Sequence, residues 1–191
     1  MLVVGELTHE RAASALEGEL ADIVYSDPPW GPGNLMYWRT HNLETSRPDW
    51  SVFLDTFTAV VSASVRPGAH IFVEMGVRWV DELSSAMRSH GIHESARWNC
   101  LYGNPKLPNI LWYSGPGCTT DPSGLSGVKM THTALSGVAR PGALVLDPCC
   151  GKGMTARCAI RLGMRFSGVE LNPRRAEVTR RWLDKHQSHK T

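Results

Sequence analysis

Ala143-Leu144-Val145-Leu146-Asp147-Pro148-Cys149-Cys150-Gly151-Lys152-Gly153 is the stretch that decides the fold. Its apolar opening reads as a buried strand, and the acid, proline and two glycines that follow read as a loop at the strand's carboxyl end. A helical stretch then runs to Gly163, which sits where a left-handed C-terminal cap is expected. Arg165-Phe166-Ser167-Gly168-Val169 is a further strand, closed by the acidic Glu170, and Asn172-Pro173 is an N-cap and first-turn pair opening the last helix. Strand, glycine loop, helix, strand, acid is a unit that binds an adenosine-containing cofactor. Its glycines let backbone approach the ligand, and its carboxylate takes the ribose hydroxyls. Alone the unit is ambiguous, because Gly151-Lys152-Gly153 with Ala156 also satisfies a loose dinucleotide fingerprint. A phosphate-binding loop matches less well, since Gly153 stands where Ser or Thr is needed.

A second stretch, near the other end, narrows the choice. Ala21-Asp22-Ile23-Val24-Tyr25-Ser26 reads as a buried strand, and Asp27-Pro28-Pro29-Trp30 closes it. Strand ends in open α/β sheets are where ligands are held. This one offers a carboxylate, carbonyls stiffened by two proline rings, and a flat indole. The exocyclic amine of a nucleobase needs that set. Its lone pair is delocalised into the ring and attacks poorly until acceptors hold its hydrogens. Asp27 can accept one and the Pro28 carbonyl the other, while Trp30 stacks on the base, a contact worth roughly 1–3 kcal/mol. The plain alternative is a Pro-Pro turn with an Asp cap and a core Trp. A nicotinamide dehydrogenase has no evident use for Asp27 to Trp30.

Asp-Pro-Pro-Trp, followed downstream by Asp147-Pro148-x-x-Gly151-x-Gly153 and then Glu170, resembles the S-adenosylmethionine-dependent amino-methyltransferases of DNA. The order, catalytic motif before cofactor motif, is similar to the circularly permuted β group of those enzymes. Val3-Val4-Gly5-Glu6, Arg140-Pro141-Gly142 and Gly168-Val169-Glu170-Leu171-Asn172 fit the same pattern. The resemblance implies a class I methyltransferase fold, an α/β, Rossmann-like, doubly wound and mostly parallel sheet with permuted motif order. It implies Asp27, Pro28, Pro29 and Trp30 as the catalytic set. It implies cofactor contacts from Asp147, Pro148, Cys149, Gly151, Gly153, Glu170, Leu171, Asn172 and Thr133. It implies S-adenosylmethionine as the cofactor, and no metal is expected. The implied reaction is methyl transfer to N6 of adenine in DNA. N4 of cytosine, RNA or a free nucleotide, and a non-catalytic partner subunit that only binds S-adenosylmethionine, are the alternatives.

Composition is compatible with this. The chain has 191 residues, 42% hydrophobic and 20% charged, which suits one soluble domain, residues 1–191, with a good-sized core. No apolar run reaches a membrane span and the N-terminus has no signal-like segment, so a cytoplasmic protein is expected. Cys100, Cys118, Cys149, Cys150 and Cys158 make no paired Cys-x-x-Cys set, so reduced thiols are expected, with Cys149 and Cys150 as small packing residues.

Between the motifs, Trp50, Phe53, Leu54, Phe57, Val60 and Val61 recur at helical spacing, with Pro48 near the start and Arg66-Pro67-Gly68 as the stop. Ala69 to Met75 reads as a strand, Val80, Leu83 and Met87 as a helix, and Trp98–Tyr102 with Ile110–Tyr113 as an edge hairpin. These elements leave little room for a separate target-recognition domain. Two segments remain, 31–47 and 103–129, read as long loops that contact the target. Their candidate substrate-binding residues are Tyr37, Trp38, Arg39 and Lys106, and Arg47 and Lys129 complete a basic rim. The net charge of +2 is small for a duplex binder, and the arginines of the last helix lie far from the site in sequence. A dimer supplying DNA-contacting surface in trans stays open.

Overall fold

The computed structural model describes residues 1–41, 49–103 and 107–187. Seven strands, β1 (Leu2–Val4), β2 (Ala21–Ser26), β3 (Val65–Gly76), β4 (Ala96–Tyr102), β5 (Leu107–Ser114), β6 (Leu144–Asp147) and β7 (Arg165–Glu170), form one sheet. Its order is β1-β7-β6-β2-β3-β5-β4, parallel from β1 to β3, with β5 antiparallel to both of its neighbours. The helices are α1 (His9–Leu16), α2 (Pro32–His41), α3 (Trp50–Ser64), α4 (Val80–Ser89), α5 (Gly127–Ser136), α6 (Met154–Arg161) and α7 (Pro173–Gln187).

Alternation along each strand fills two cores. Val24, Val73, Leu144 and Leu146 point toward α1, α3 and α4, where Leu54, Phe57, Leu83 and Met87 meet them. Ile23, Tyr25, Phe72 and Val145 point the other way, onto Met130 and Ala134 of α5, Ala156 of α6 and Leu183 of α7. Burial on both faces explains why the central strands read as continuous apolar runs. The α3 stripe is core, as its period implies.

Two segments differ from the sequence reading. Residues 32–41, expected as loop, form α2, with Leu35 buried against the first core and Asn34 accepting a hydrogen bond from the Trp30 amide at 3.1 Å. A prolyl opening at the first helical position suits this start. The segment 103–129 contains the whole of β5 and the first residues of α5, so its irregular part is shorter than expected. The helix stops at Ser64, just ahead of Arg66-Pro67-Gly68, but β3 starts directly at Val65, earlier than the expected Ala69, and carries these residues at its beginning. Pro48, Arg47 and Lys106 lie outside the described residues.

The sheet places the site. β6 crosses through α6 to β7 on one face, whereas β2 crosses through α3 to β3 on the other. Strand order therefore reverses between β6 and β2, paired at Ile23 with Val145 and Val24 with Leu146. A crevice opens at the carboxyl ends of the two strands where such a reversal occurs. Asp27 follows one strand and Asp147 ends the other.

Candidate active site

A cavity of about 720 Å³ occupies that crevice. Asp27, Pro28, Pro29 and Trp30 line one part of it, and Asp147, Pro148, Cys149, Gly151, Glu170 and Leu171 line another. Two segments more than a hundred residues apart thus share one wall. Ser26 ties them, its Oγ donating to Asp147 Oδ1 at 3.1 Å. Asp147 also accepts from Thr155 Oγ1 at 2.6 Å and from the Cys149 amide at 3.1 Å, which fixes the turn into the glycine loop.

Glu170 shapes the same loop from the next strand. Its two oxygens accept the Gly151 amide at 2.7 Å and the Asn172 amide at 2.8 Å. Each oxygen keeps a second lone pair, so the carboxylate can still receive hydroxyl donors from a ligand. Gly151 has φ +54 and open space where a Cβ would stand, so backbone rather than side chain meets the cavity.

Asp27 accepts from the Trp30 indole Nε1 at 3.0 Å, and the Tyr102 hydroxyl also favours its ionised form. Burial, and then the Asp147 charge, push its carboxyl up to about 7, against the pull of those two donors. Burial likewise raises Asp147 to about 6. Beneath them Glu74, fully buried on β3, accepts from Tyr25 Oη at 2.8 Å, and burial with the Asp27 charge holds its carboxyl well above the usual range. Tyr102 is raised to about 12, mainly by Asp27. The cavity floor thus concentrates acidic groups that favour carrying a cation or keeping a proton. Burial also drives the Cys149 and Cys150 thiols well up, which fits packing residues and not nucleophiles.

Several expected contacts fall elsewhere. Thr133 does not line the cavity: α5 presents Val128 of its first turn there, and the Thr133 carbonyl, further down the helix, accepts from Thr120 Oγ1 at 2.7 Å. Gly153 does not line it either. It caps α6 at φ +77, and a Cβ on it would stand 2.7 Å from Thr179 of α7, so this glycine serves helix packing. Gly153→Ala should lower stability by roughly 1–3 kcal/mol through strain and overlap. The check is thermal unfolding, with a midpoint drop of about 2–4 °C per kcal/mol. Asn172 caps α7, its Oδ1 accepting from the Arg174 and Arg175 amides. Tyr37 is half exposed, edge-on to Trp38 at 5.1 Å, outside the cavity lining.

Trp38 and Arg39 do line the cavity. Arg39 pairs with Glu6 at 2.7 Å, which fastens α2 to the turn after β1. Arg175, expected far from the site with the other arginines of its helix, lies over the Trp38 ring at 3.8 Å and lines the cavity. Sequence reasoning missed it because proximity in space came from the first turn of α7, directly after Leu171. Tyr102 was missed too: it ends β4 and packs edge-on against Trp30, centroids 4.4 Å apart. An aromatic residue ending an edge strand beside a glycine turn was the available signal.

No protein-family model matches this chain, and no curated protein does. Solved structures do match. M1.HpyAVI in its SAM complex aligns with a TM-score of 0.70 over 96% of this chain and 100% of its own, at 15% identity. TTHA0409 from Thermus thermophilus, complexed with S-adenosyl-L-methionine, aligns at 0.68 over 97% and 93%, with 18% identity. The PvuII DNA methyltransferase, cytosine-N4-specific, aligns at 0.70 over 94% and 84%, with 14% identity. Identities this low speak for fold, and the fold shared with these neighbours is that of the class I methyltransferases, a seven-stranded, mostly parallel sheet flanked by helices on both faces.

Proposed function

We propose that this chain transfers the methyl group of S-adenosylmethionine to the exocyclic amine of a nucleobase in DNA, N6 of adenine. The observation that carries the reading is the meeting of Asp27-Pro28-Pro29-Trp30 with Asp147 to Lys152 and Glu170 around one cavity. The residues present fit this cofactor. Glu170 has lone pairs left for a ribose diol, Gly151 leaves room for close approach, and the buried acids of the floor favour a cationic ligand. A cavity of about 720 Å³ is within the range that encloses a ligand of this size. S-adenosylmethionine, when bound, supplies an electrophilic methyl on a positively charged sulfur.

The chain's own residues do the rest. Trp30 and Tyr102 receive the base, with the Trp30 indole also holding the Asp27 carboxylate in place. Asp27 and the Pro28 carbonyl accept the amine hydrogens, which lets the nitrogen pyramidalise and turn its lone pair toward the donor. As positive charge builds on nitrogen, Asp27 stabilises it in a site shielded from water. Asp27 need not be a strong base, because the methylated amine is acidic enough to release its proton to water. Positioning supplies much of the remaining acceleration.

Asp27 must be ionised to accept. With its carboxyl at about 7 in the free protein, kcat/KM should fall about tenfold per pH unit below that value and level off above it. The acid limb of kcat should lie lower, since a bound sulfonium favours the carboxylate. Tyr102→Ala should reduce kcat/KM roughly 10–100-fold through lost stacking, with little change in cofactor affinity.

N4 of cytosine is the second reading, favoured by the cytosine-N4-specific neighbour. The same acceptors serve either amine. Transfer of labelled methyl to mixed-sequence DNA, followed by nucleoside mass spectrometry, decides between them. N6-methyladenine is expected, N4-methylcytosine would transfer the assignment to the second reading, and a product methylated on carbon would refute both.

A further inference from the structure

Around the cavity the surface is apolar and aromatic more than it is basic. Among the described residues, Tyr37, Val52, Val77, Tyr102, Leu107 and Val128, with Met36, make up seven of the eleven exposed large apolar side chains. All belong to the carboxyl edge of the sheet. Val77 follows β3, Tyr102 ends β4, Leu107 opens β5, Val52 and Val128 sit in the first turns of α3 and α5, and Met36 and Tyr37 lie on α2. Val52, Tyr102 and Val128 line the cavity itself. Val52 is 61% and Leu107 57% exposed, more than a side chain placed only for packing would be.

Arginines are interleaved with rings at the same edge. Arg175 lies 3.8 Å over Trp38 in the cavity wall, and Arg78 lies 5.0 Å from the Trp79 ring just after β3. Lys152 and Arg157 add positive charge to the cavity lining, while Arg39 is engaged by Glu6. Aromatic and aliphatic faces with a few cations among them make a platform on which unstacked bases lie and along which phosphates pass. A duplex-gripping surface is a different object. It draws its affinity from many phosphate contacts and carries a strong positive excess, whereas the whole chain has a net charge of +2.

We infer that the substrate strand reaches this site unpaired, and that the rim of the cavity is a stacking platform for single-stranded DNA. The energetics favour this arrangement. Extruding a base from a duplex costs a few kcal/mol, which contacts to the rest of the duplex must offset. An unpaired strand needs no extrusion, and each base laid on the rim contributes roughly 1–3 kcal/mol. The inference rests on the methyl-transfer reading for the reaction, but the platform itself is a binding surface and is tested by binding.

The test uses one labelled mixed-sequence DNA in three forms, single strand, full duplex, and duplex with a central unpaired bubble, beside a single-stranded RNA of the same sequence. Fluorescence anisotropy at fixed salt should give at least about tenfold tighter binding for the single strand and the bubble than for the duplex. Methyl transfer should follow the same order. Leu107→Glu, on the exposed hairpin end, should weaken single-strand binding several-fold with an unchanged unfolding midpoint, and Leu107→Met should restore it. Duplex bound as tightly as single strand, binding of no nucleic acid, or a single-stranded RNA of the same sequence preferred over DNA, would each overturn the proposal. Single-strand preference without transfer to any nucleic acid would leave the platform standing and remove the methyl-transfer reading instead.

Discussion

Asp27→Asn should lower kcat of the proposed methyl transfer by at least about 10³-fold and yield a more stable protein. The first effect follows from charge. Asparagine has nearly the shape of aspartate, so the Trp30 contact and the cavity survive, but a neutral amide cannot stabilise the cation that develops on the amine. Its NH₂ group also meets the substrate N–H donors head-on in one of its two orientations. Cofactor affinity, read by calorimetry, should fall only modestly, because the glycine loop and Glu170 are untouched. The second effect follows from linkage. Burial and the Asp147 charge raise the Asp27 carboxyl to about 7 in the folded protein, far above an exposed aspartate. Between about pH 4 and pH 7 the folded chain therefore holds a proton that the unfolded chain has released, and stability falls as pH rises through that window. Above pH 7 the full penalty is present. Asparagine carries no such charge, so Asp27→Asn should raise the unfolding midpoint at pH 8 and show little gain at pH 4. Asp147 and Glu74, raised for the same reason, keep part of the pH slope in the variant. Equal midpoints for the two proteins at pH 8 would contradict the electrostatic account of the floor.

Glu170→Ala acts on the other half of the site. Two hydroxyl-to-carboxylate hydrogen bonds are worth about 1.5–3 kcal/mol each, so the dissociation constant of S-adenosylmethionine should rise at least about 100-fold. Part of that loss comes before any ligand binds. The Gly151 and Asn172 amides, which now donate to Glu170, are left without their acceptor, and the glycine loop should loosen. Calorimetry and thermal unfolding separate the two contributions. At saturating cofactor, kcat should recover to within about tenfold of the wild type, since Asp27 and the aromatic pair remain. A kcat collapse that saturation does not relieve would place Glu170 in the chemistry, against the role assigned to it.

The central fold was legible because its strands are buried on both faces and are closed by distinctive residues. Asp147 with its glycines, and Asp27 with its prolines, mark strand ends, and strand ends at a reversal of order form the crevice. Glu170 was legible for the same reason. The rim was not. Residues 32–41 carry no clear apolar stripe, so their helix depends on Leu35 packing and on the Asn34 contact to the Trp30 amide, tertiary effects that local pattern does not report. Tyr102 reaches the cavity from an edge strand remote in sequence, and Arg175 reaches it because the first turn of α7 folds back over Trp38. Thr133 lies further along α5 than Val128, which is the residue of that helix that lines the cavity. Glycines were legible as a class but not one by one: Gly151 lines the cavity, whereas Gly153 packs against Thr179.

A structure of the protein with a non-transferable S-adenosylmethionine analogue and an adenine-containing single strand tests the proposed chemistry most directly. The expected complex has the analogue's ribose on Glu170, its donor position about 3–3.5 Å from the adenine N6, and that nitrogen within hydrogen-bond reach of Asp27. An analogue seated in the cavity with its donor position turned away from Asp27, or an adenine bound beyond contact with Trp30, would contradict it.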